Sequence, residues 1–222
     1  MFDINLAQRE VLKSGINALN LESINHPIII DNEQFEKINI YLDELQKWNK
    51  VYNLSGFKNT TDHIYRNIID CLAAAPFIKG QNLMDLGTGA GLPGLLFAIL
   101  NSKQHWVLLD GNGKKTRFLN QIKQLLSLDN VEVIHARAED YKPQDLFDGI
   151  SSRAFDKLPQ SIKLCKHLFD RHACFYALKG KTDKQETEGL PSWARLEKVH
   201  TLFVPTIKEQ RHLMIVDIHR NI

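Results

Sequence analysis

Four glycines fall within eight residues of this chain, at Gly87, Gly89, Gly91 and Gly94, and an acid, Asp85, stands just ahead of them. Few folds can use such a run. Glycine loses more backbone entropy on folding than other residues, so a cluster persists where the chain needs φ > 0 or a close backbone approach. The run follows a short apolar stretch, Asn82-Leu83-Met84, and leads into Pro93, which suits the first turn of a helix. A strand, a glycine turn and a helix form the opening unit of an open α/β sheet. Ligands in such sheets sit beyond the carboxyl ends of the strands, near the topological switch point. A tight turn with no ligand is the plain alternative, and four glycines argue against it.

The pattern repeats downstream. Apolar strands are predicted at Trp106 to Leu109 (ending at Asp110), Val131 to His135, Phe147 to Ser152 and Ala173 to Leu178. Helices are predicted from Pro93 to Leu100, Lys114 to Leu126 and Leu158 to Leu168. This alternation implies a mostly parallel, doubly wound α/β sheet of Rossmann-like type. Two late strands, Leu196 to Val204 and His212 to Ile218, lack a long helix between them and suggest an antiparallel hairpin at one edge. Residues Gly180 to Ser192 are polar and read as a loop or short helix.

Residues 1–78 read instead as a helical segment packed on a main domain of residues 79–222. Phe2, Leu6, Val11, Leu12, Ile16 and Leu19 recur near helical spacing, and His26-Pro27 breaks the chain. Asp31 can cap a second helix carrying the stripe Phe35, Ile38, Leu42 and Leu45, with Trp48 after it. A third helix is expected from Thr61 to Ala75, stopped by Pro76.

Composition narrows the class only a little. The 28 Lys and Arg residues nearly balance 26 Asp and Glu, so the net charge of +2 leans weakly toward a polyanionic partner. Cys71, Cys165 and Cys174 are scattered, odd in number and without a C-x-x-C spacing, which supports neither a disulfide framework nor a zinc site. The nine His residues show no paired ligand spacing on one helix face, and no metal is expected. Met1 to Asn5 lacks a basic n-region and an apolar h-region, and no apolar run is long enough to cross a bilayer. The expectation is a cytoplasmic monomer with no membrane partner.

Gly89, Gly91 and Gly94 spell a literal G-x-G-x-x-G, the dinucleotide fingerprint. In that fingerprint the first glycine follows the strand directly, whereas here Asp85 occupies the strand end. The order D-x-G-x-G-x-G resembles the first motif of class I methyltransferases, which use S-adenosylmethionine. Asp110 lies 25 residues beyond Asp85, at the next strand end. A carboxylate there can accept hydrogen bonds from ribose hydroxyls, for this cofactor or for NAD. An acid at a strand end is also an ordinary turn former. The turn Arg137-Ala138-Glu139-Asp140 could offer backbone groups to an adenine edge, a weak signal alone.

Taken in order, further motifs resemble one family, RsmG (also called GidB), the 16S rRNA guanine-N7 methyltransferases. They are Trp48-Asn49-Lys50-Val51-Tyr52-Asn53-Leu54, Arg66-Asn67-Ile68-Ile69-Asp70 and the loop from Gly87 to Gly94. Asp110, Lys114-Lys115, Phe118-Leu119, Ala138-Glu139, Ser152-Arg153-Ala154, Leu178-Lys179-Gly180 and Arg211-His212-Leu213 complete the series. The resemblance covers nearly the whole chain. It implies cofactor contacts from Gly87, Leu92, Ala138, Glu139 and Arg153, joining Asp85, Gly89, Gly91 and Asp110 from the loop reading. It implies 16S rRNA or the small ribosomal subunit as partner, and methylation of the guanine at position 527, in the 530 loop. Ala90 stands where the family usually has Pro, and Asn67 where it often has His.

Other residues carry two readings. Lys114, Lys115 and Arg117 can hold phosphates or form a solvated helix face. Lys179, on the ligand side of the sheet, is favoured as an RNA-phosphate contact, and Arg211 follows it. Trp48 and Tyr52 can stack on bases or close the helical segment onto the main domain. Asn53 can face the cleft or cap a turn. A nicotinamide oxidoreductase is the alternative enzyme, but no Tyr-x-x-x-Lys pair accompanies the loop. A non-catalytic RNA-binding protein with a vestigial pocket is the alternative outside enzymes.

Overall fold

The structure, a computed structural model, describes residues 6–52, 54, 59–153, 157–180 and 188–219. Phe2, Asn53, Ala154 and residues 181–187 of the polar segment after Gly180 therefore lie outside the described residues. Strands β1 (Asn82–Leu86), β2 (His105–Asp110), β3 (Val131–His135), β4 (Phe147–Arg153), β5 (Phe169–Lys179), β6 (Ala194–Leu202) and β7 (Arg211–His219) form one sheet. Its order is β3-β2-β1-β4-β5-β7-β6. Strands β1 to β5 pair in parallel, and β7 runs antiparallel to both β5 and β6. The chain winds outward from β1 to β3, then crosses back to β4 on the other side. The switch point thus lies between β1 and β4, where ligands collect in such sheets.

Side-chain alternation explains why both faces are covered. Leu83, Trp106, Leu108, Tyr176, Leu178, Leu213 and Ile215 enter one apolar cluster, while Met84, Val107, Leu109, Phe175, Ala177, Met214 and Val216 enter a second. Adjacent residues point to opposite faces, so these nearly continuous apolar strands need helices on each side. The first cluster takes in α5 (Gly94–Leu100) and α6 (Gly113–Leu125); the second takes in α7 (Leu158–Leu164). Helix α7 ends four residues earlier than the periodicity predicts. A 3-10 turn, Lys166–Leu168, follows it and β5 begins at Phe169, ahead of the expected Ala173.

The amino-terminal helices share the first cluster. In α1 (Leu6–Glu22), Leu12 and Leu19 are fully buried; in α2 (Asn32–Tyr52), so are Ile38 and Tyr41. Asp31 caps α2 as expected, its Oδ1 accepting from the Gln34 amide at 2.8 Å. The Gln34 side chain accepts from the Asp31 amide at 3.0 Å, which makes a reciprocal capping box. Trp48 packs on Phe118 of α6 with ring centroids 5.5 Å apart, so its helix-closing role is the one the structure displays.

The third helix departs from expectation. It starts as α3 (Thr60–His63), widens into a π-helical segment (Ile64–Ile69), returns to α4 (Asp70–Ala74) and ends in a 3-10 turn (Ala75–Phe77). A six-residue change of pitch leaves no mark in apolar spacing. Its setting is tight: a Cβ on Gly15 of α1 would lie 3.0 Å from Ile69 and 3.2 Å from Tyr65. π-Helical turns concentrate at functional sites, and this one carries Arg66 and Asn67.

Close packing where α5 meets the sheet gives a direct test. A Cβ on Gly94 would sit 2.5 Å from Asp85 Cβ and 2.7 Å from Leu108 Cδ2, and Asp85 Cβ cannot swing away from its own backbone. Gly94→Ala is expected to destabilise the protein by roughly 1–3 kcal/mol, the usual cost of overpacking, read as a lower urea midpoint with an unchanged slope.

Candidate active site

Asp85, next to last in β1, is fully buried. Its Oδ2 accepts hydrogen bonds from Thr88 Oγ1 at 2.7 Å and the Gly94 amide at 2.9 Å, and its Oδ1 accepts from Ser151 Oγ of β4 at 3.0 Å. The carboxylate thus ties the start of the glycine loop, the start of α5 and the neighbouring strand together. Burial pushes its pKa up from the ordinary 3.8 to about 6, against the opposing pull of Thr88, Gly94, Ser151 and the nearby Arg153 charge.

Between these anchors the loop bends through residues with positive φ: Gly87 at 64°, Gly89 at 63° and Gly91 at 102°. The reasons for glycine differ along it. At Gly91 a Cβ would collide with Leu119 Cδ2 at 2.8 Å, a packing demand. At Gly89 the nearest atoms, Gly87 O and Lys115 Nζ, would both be 3.9 Å away, so backbone there faces open space. Asp110, closing β2, accepts from the Gly89 amide through Oδ2 at 2.9 Å and from the Asn112 amide through Oδ1 at 2.8 Å. Asn112 in turn caps α6 through the Lys114 amide. Each oxygen of Asp110 keeps a further lone pair for a ligand hydroxyl.

Sequence reading missed one buttress. Tyr41 of α2 is fully buried and donates from its hydroxyl to the Ala90 carbonyl at 3.0 Å. Ala90 thereby hands its carbonyl to the amino-terminal helices. Leu92, in the loop, and Ala138, on the turn after β3, are buried in the two different apolar clusters, whereas Glu139 is exposed on that turn. His135 and Arg137 close that turn against the β2 end: His135 Nε2 lies 3.2 Å from Gly111 O, and Arg137 crowds Gly111.

A second feature opens beside the loop at the same sheet edge. Arg66, Asn67, Asp70, Arg153, Lys179 and Arg211 border a cleft of about 570 Å³. Arg153 Nη1 donates to Asn67 Oδ1 at 2.7 Å, and Arg211 Nε lies 3.3 Å from Asp70 Oδ1. Arg66 reaches Glu209 at 3.1 Å on the exposed rim. Burial raises the pKa of Asp70, while the charges of Arg153, Arg211 and Arg66 oppose the rise. His63, buried nearby under the Arg153 charge, is pushed down to about 4 and stays neutral. Of the expected phosphate ligands, Lys179 and Arg211 meet here. Lys115 leans over Gly89 instead, and Lys114 lies 5.7 Å from the Tyr52 ring centroid.

Among the described residues, no helix is long and apolar enough to cross a membrane. Cys174 of β5, Glu197 of β6 and Asp217 of β7 bring possible metal-ligand atoms within 4.8 Å of one another.

The strand order, the antiparallel β7 and the acid-led glycine loop at the switch point define the class: this is a class I methyltransferase fold. Solved structures share it at low identity. TYW2 from M. jannaschii, determined in complex with AdoMet, aligns with a TM-score of 0.54 and 15% identity over 70% of this chain and 76% of that one. TrmN from Thermus thermophilus gives 0.54 and 14% over 78% and 52%. The sequence is more specific. The family model GidB, described as rRNA small subunit methyltransferase G, matches residues 34–214. The ribosomal RNA small subunit methyltransferase G of Hahella chejuensis is 41% identical over 211 residues, 95% of this chain and 94% of that protein. The Escherichia coli protein of the same name is 36% identical over 201 residues, covering 90% and 97%. The chain belongs to the GidB family.

The burial of Asp85 has a measurable consequence. A carboxyl group whose folded pKa is raised favours the folded state while protonated, and that contribution is lost as pH rises through the folded value. The loss here falls between about pH 4 and pH 6. Asn can keep the acceptor toward Gly94 and turn its amide toward Ser151. Asp85→Asn should therefore gain stability relative to the native chain across that window, by up to about 3 kcal/mol. Paired urea titrations from pH 4 to pH 7 would measure it, and a constant difference would count against the assigned burial cost.

Proposed function

We propose that this chain transfers a methyl group from S-adenosylmethionine to N7 of a guanine in 16S rRNA, the guanine at position 527. The observation that carries the reading is the pairing of an acid-braced glycine loop with a cationic cleft at one sheet edge. Membership of the GidB family and the names of its relatives support rRNA as the substrate. A nicotinamide reading has no comparable support, because the acid at the β1 end is spent on bracing the loop.

The residues present fit a nucleoside cofactor. Bare backbone at Gly87 and Gly89 allows close approach, and Asp110 stands at the β2 end for ribose hydroxyls. Leu92 and Ala138 offer apolar walls, Glu139 and its turn the adenine edge, and Arg153 the seam between cofactor and acceptor. Asp85 acts through the loop it fixes, and Gly91 through its packing. When bound, S-adenosylmethionine supplies a methyl group on a sulfonium sulfur, already a good leaving group. Guanine N7 carries an in-plane lone pair and no proton, so no side chain need remove one. The work left to the chain is placement, which is catalysis by proximity and orientation. Lys179, Arg211, Lys114 and Lys115 hold RNA phosphates in this reading. The protein acts as a cytoplasmic monomer on 16S rRNA or the small subunit, with residues 1–78 as an extension that braces the domain of residues 79–222.

Two measurements test this. Gly87→Val places a branched side chain at a φ of 64°, where bare backbone is needed. Calorimetric titration with S-adenosylmethionine should show binding lost while the variant still melts cooperatively; retained affinity would remove the loop from the cofactor site. Second, the single-turnover methylation rate with saturating cofactor and RNA should be nearly flat from pH 6.5 to 8.5. A rate rising about tenfold per pH unit, abolished by one carboxylate or His substitution, would demand a base and a different target atom.

A further inference from the structure

Guanine and adenine both carry an N7 lone pair, so methylation at this atom cannot by itself choose between them. Discrimination has to come from the opposite edge of the base. The cleft beside the glycine loop has the groups for it. Its volume, about 570 Å³, exceeds what a phosphate needs, and its cationic wall surrounds one carboxylate, Asp70. A buried carboxylate is a poor choice for a site that holds phosphate alone, since like charges repel.

Two observations give Asp70 and its neighbour a direction. The Asp70 side chain is only 10% exposed, and its ion pair among the described residues, Oδ1 to Arg211 Nε at 3.3 Å, leaves carboxylate lone pairs for a ligand. Asn67 is 3% exposed, and its amide is oriented by Arg153 Nη1 donating to Oδ1. Its Nδ2 is buried with no hydrogen-bond partner among the described residues. A buried donor left unmatched costs about 1–3 kcal/mol, so a ligand acceptor there would recover it. The Asp70 amide donates to the Asn67 carbonyl at the end of the π-helical segment, and both residues border the same cleft.

We propose that this cleft receives the extruded guanine, with Asp70 accepting hydrogen bonds from its N1 and N2 protons and Asn67 Nδ2 donating to O6. The inference rests on guanine being the acceptor and adds the residues that read it. Held by that edge, the base turns N7 away from Asp70, toward the glycine loop. Adenine would set its unprotonated N1 against the carboxylate and its amino group against the Asn67 amide, a mismatch at both positions. Unpaired polar groups of this kind support large discrimination. The surrounding Arg66, Lys179 and Arg211 then take the phosphates on either side of the flipped nucleotide.

The test compares small subunits reconstituted with 16S rRNA carrying guanine or inosine at the target position. Inosine lacks only the 2-amino group and keeps N7, O6 and the N1 proton. The native enzyme is expected to lose about tenfold in kcat/KM on inosine. Asp70→Asn, checked by thermal melting and by unchanged S-adenosylmethionine affinity, should lose about 100-fold on guanine and show a guanine-to-inosine gap several-fold smaller than the native one. Equal native rates on the two RNAs would overturn the proposal without any variant. So would an Asp70→Asn protein with the full gap, or one whose only change is a flatter salt dependence, which would make the cleft a phosphate site. If instead the native enzyme leaves guanine N7 unmodified, as mapped by cleavage at 7-methylguanine, the proposed reaction fails and not the reading of this edge alone.

Discussion

A buried carboxylate holds the site together. Asp85 accepts three hydrogen bonds, one from each of three places around the β1 end: the loop at Thr88, the α5 start at Gly94 and the paired strand β4 at Ser151. Its raised pKa measures what that arrangement costs, because an anion is held where water cannot reach it. The return is a loop whose conformation is set before any ligand arrives. Asp110 repeats the device one strand over, at lower cost, since its carboxylate lies nearer the surface and also turns the chain into α6. Asp85 thus holds the run of glycines at Thr88 and Gly94, and Asp110 holds it between them at Gly89, where glycines alone would be floppy.

The amino-terminal helices complete this framework from the opposite side. Tyr41 binds the Ala90 carbonyl, Trp48 packs on Phe118, and Gln121 of α6 donates to Glu44 of α2 at 3.0 Å. Helix α2 therefore clamps α6 and the loop at once. The π-helical segment further along sets the edge of the acceptor cleft through Asn67 and Arg153. The amino-terminal helices thus touch both the glycine loop and the cationic cleft, and the family match takes in part of them, from residue 34.

Much of this was legible from residues alone, for definite reasons. Short, nearly continuous apolar runs mark strands buried on both faces, and glycine clusters mark φ > 0, so the sheet, its switch point and the loop could be read directly. The edge hairpin of β6 and β7 followed from a missing crossover helix. The capping box at Asp31 and Gln34 is a local signal and was partly read. The π-helical segment was not, since i to i+5 pairing over one turn leaves the apolar pattern unchanged. Tyr41 was invisible for another reason: a hydroxyl aimed 49 residues along the chain has no local signature. Asn67 and Asp70 carry no legible role in the sequence, because the side chains they meet, Arg153 and Arg211, lie far away along the chain.

The charges of the acceptor cleft raise a physical question of their own. In the proposed reaction positive charge moves from sulfur onto the purine, yet the cleft is bordered by Arg66, Arg153, Lys179 and Arg211. Four cations around a base acquiring positive charge would oppose the reaction if they stayed uncompensated. Carboxylates compensate part of that charge. Asp70 lies among three of the guanidinium groups and takes one as a partner, and Glu209 pairs with Arg66 on the rim. In the proposed reaction RNA phosphates add further compensation when the substrate is seated. The cleft is then unfavourable to a free base and close to neutral around a nucleotide in its strand. A preference for polymer over free nucleoside would follow from the charge balance itself, with no separate recognition element needed to reject small molecules.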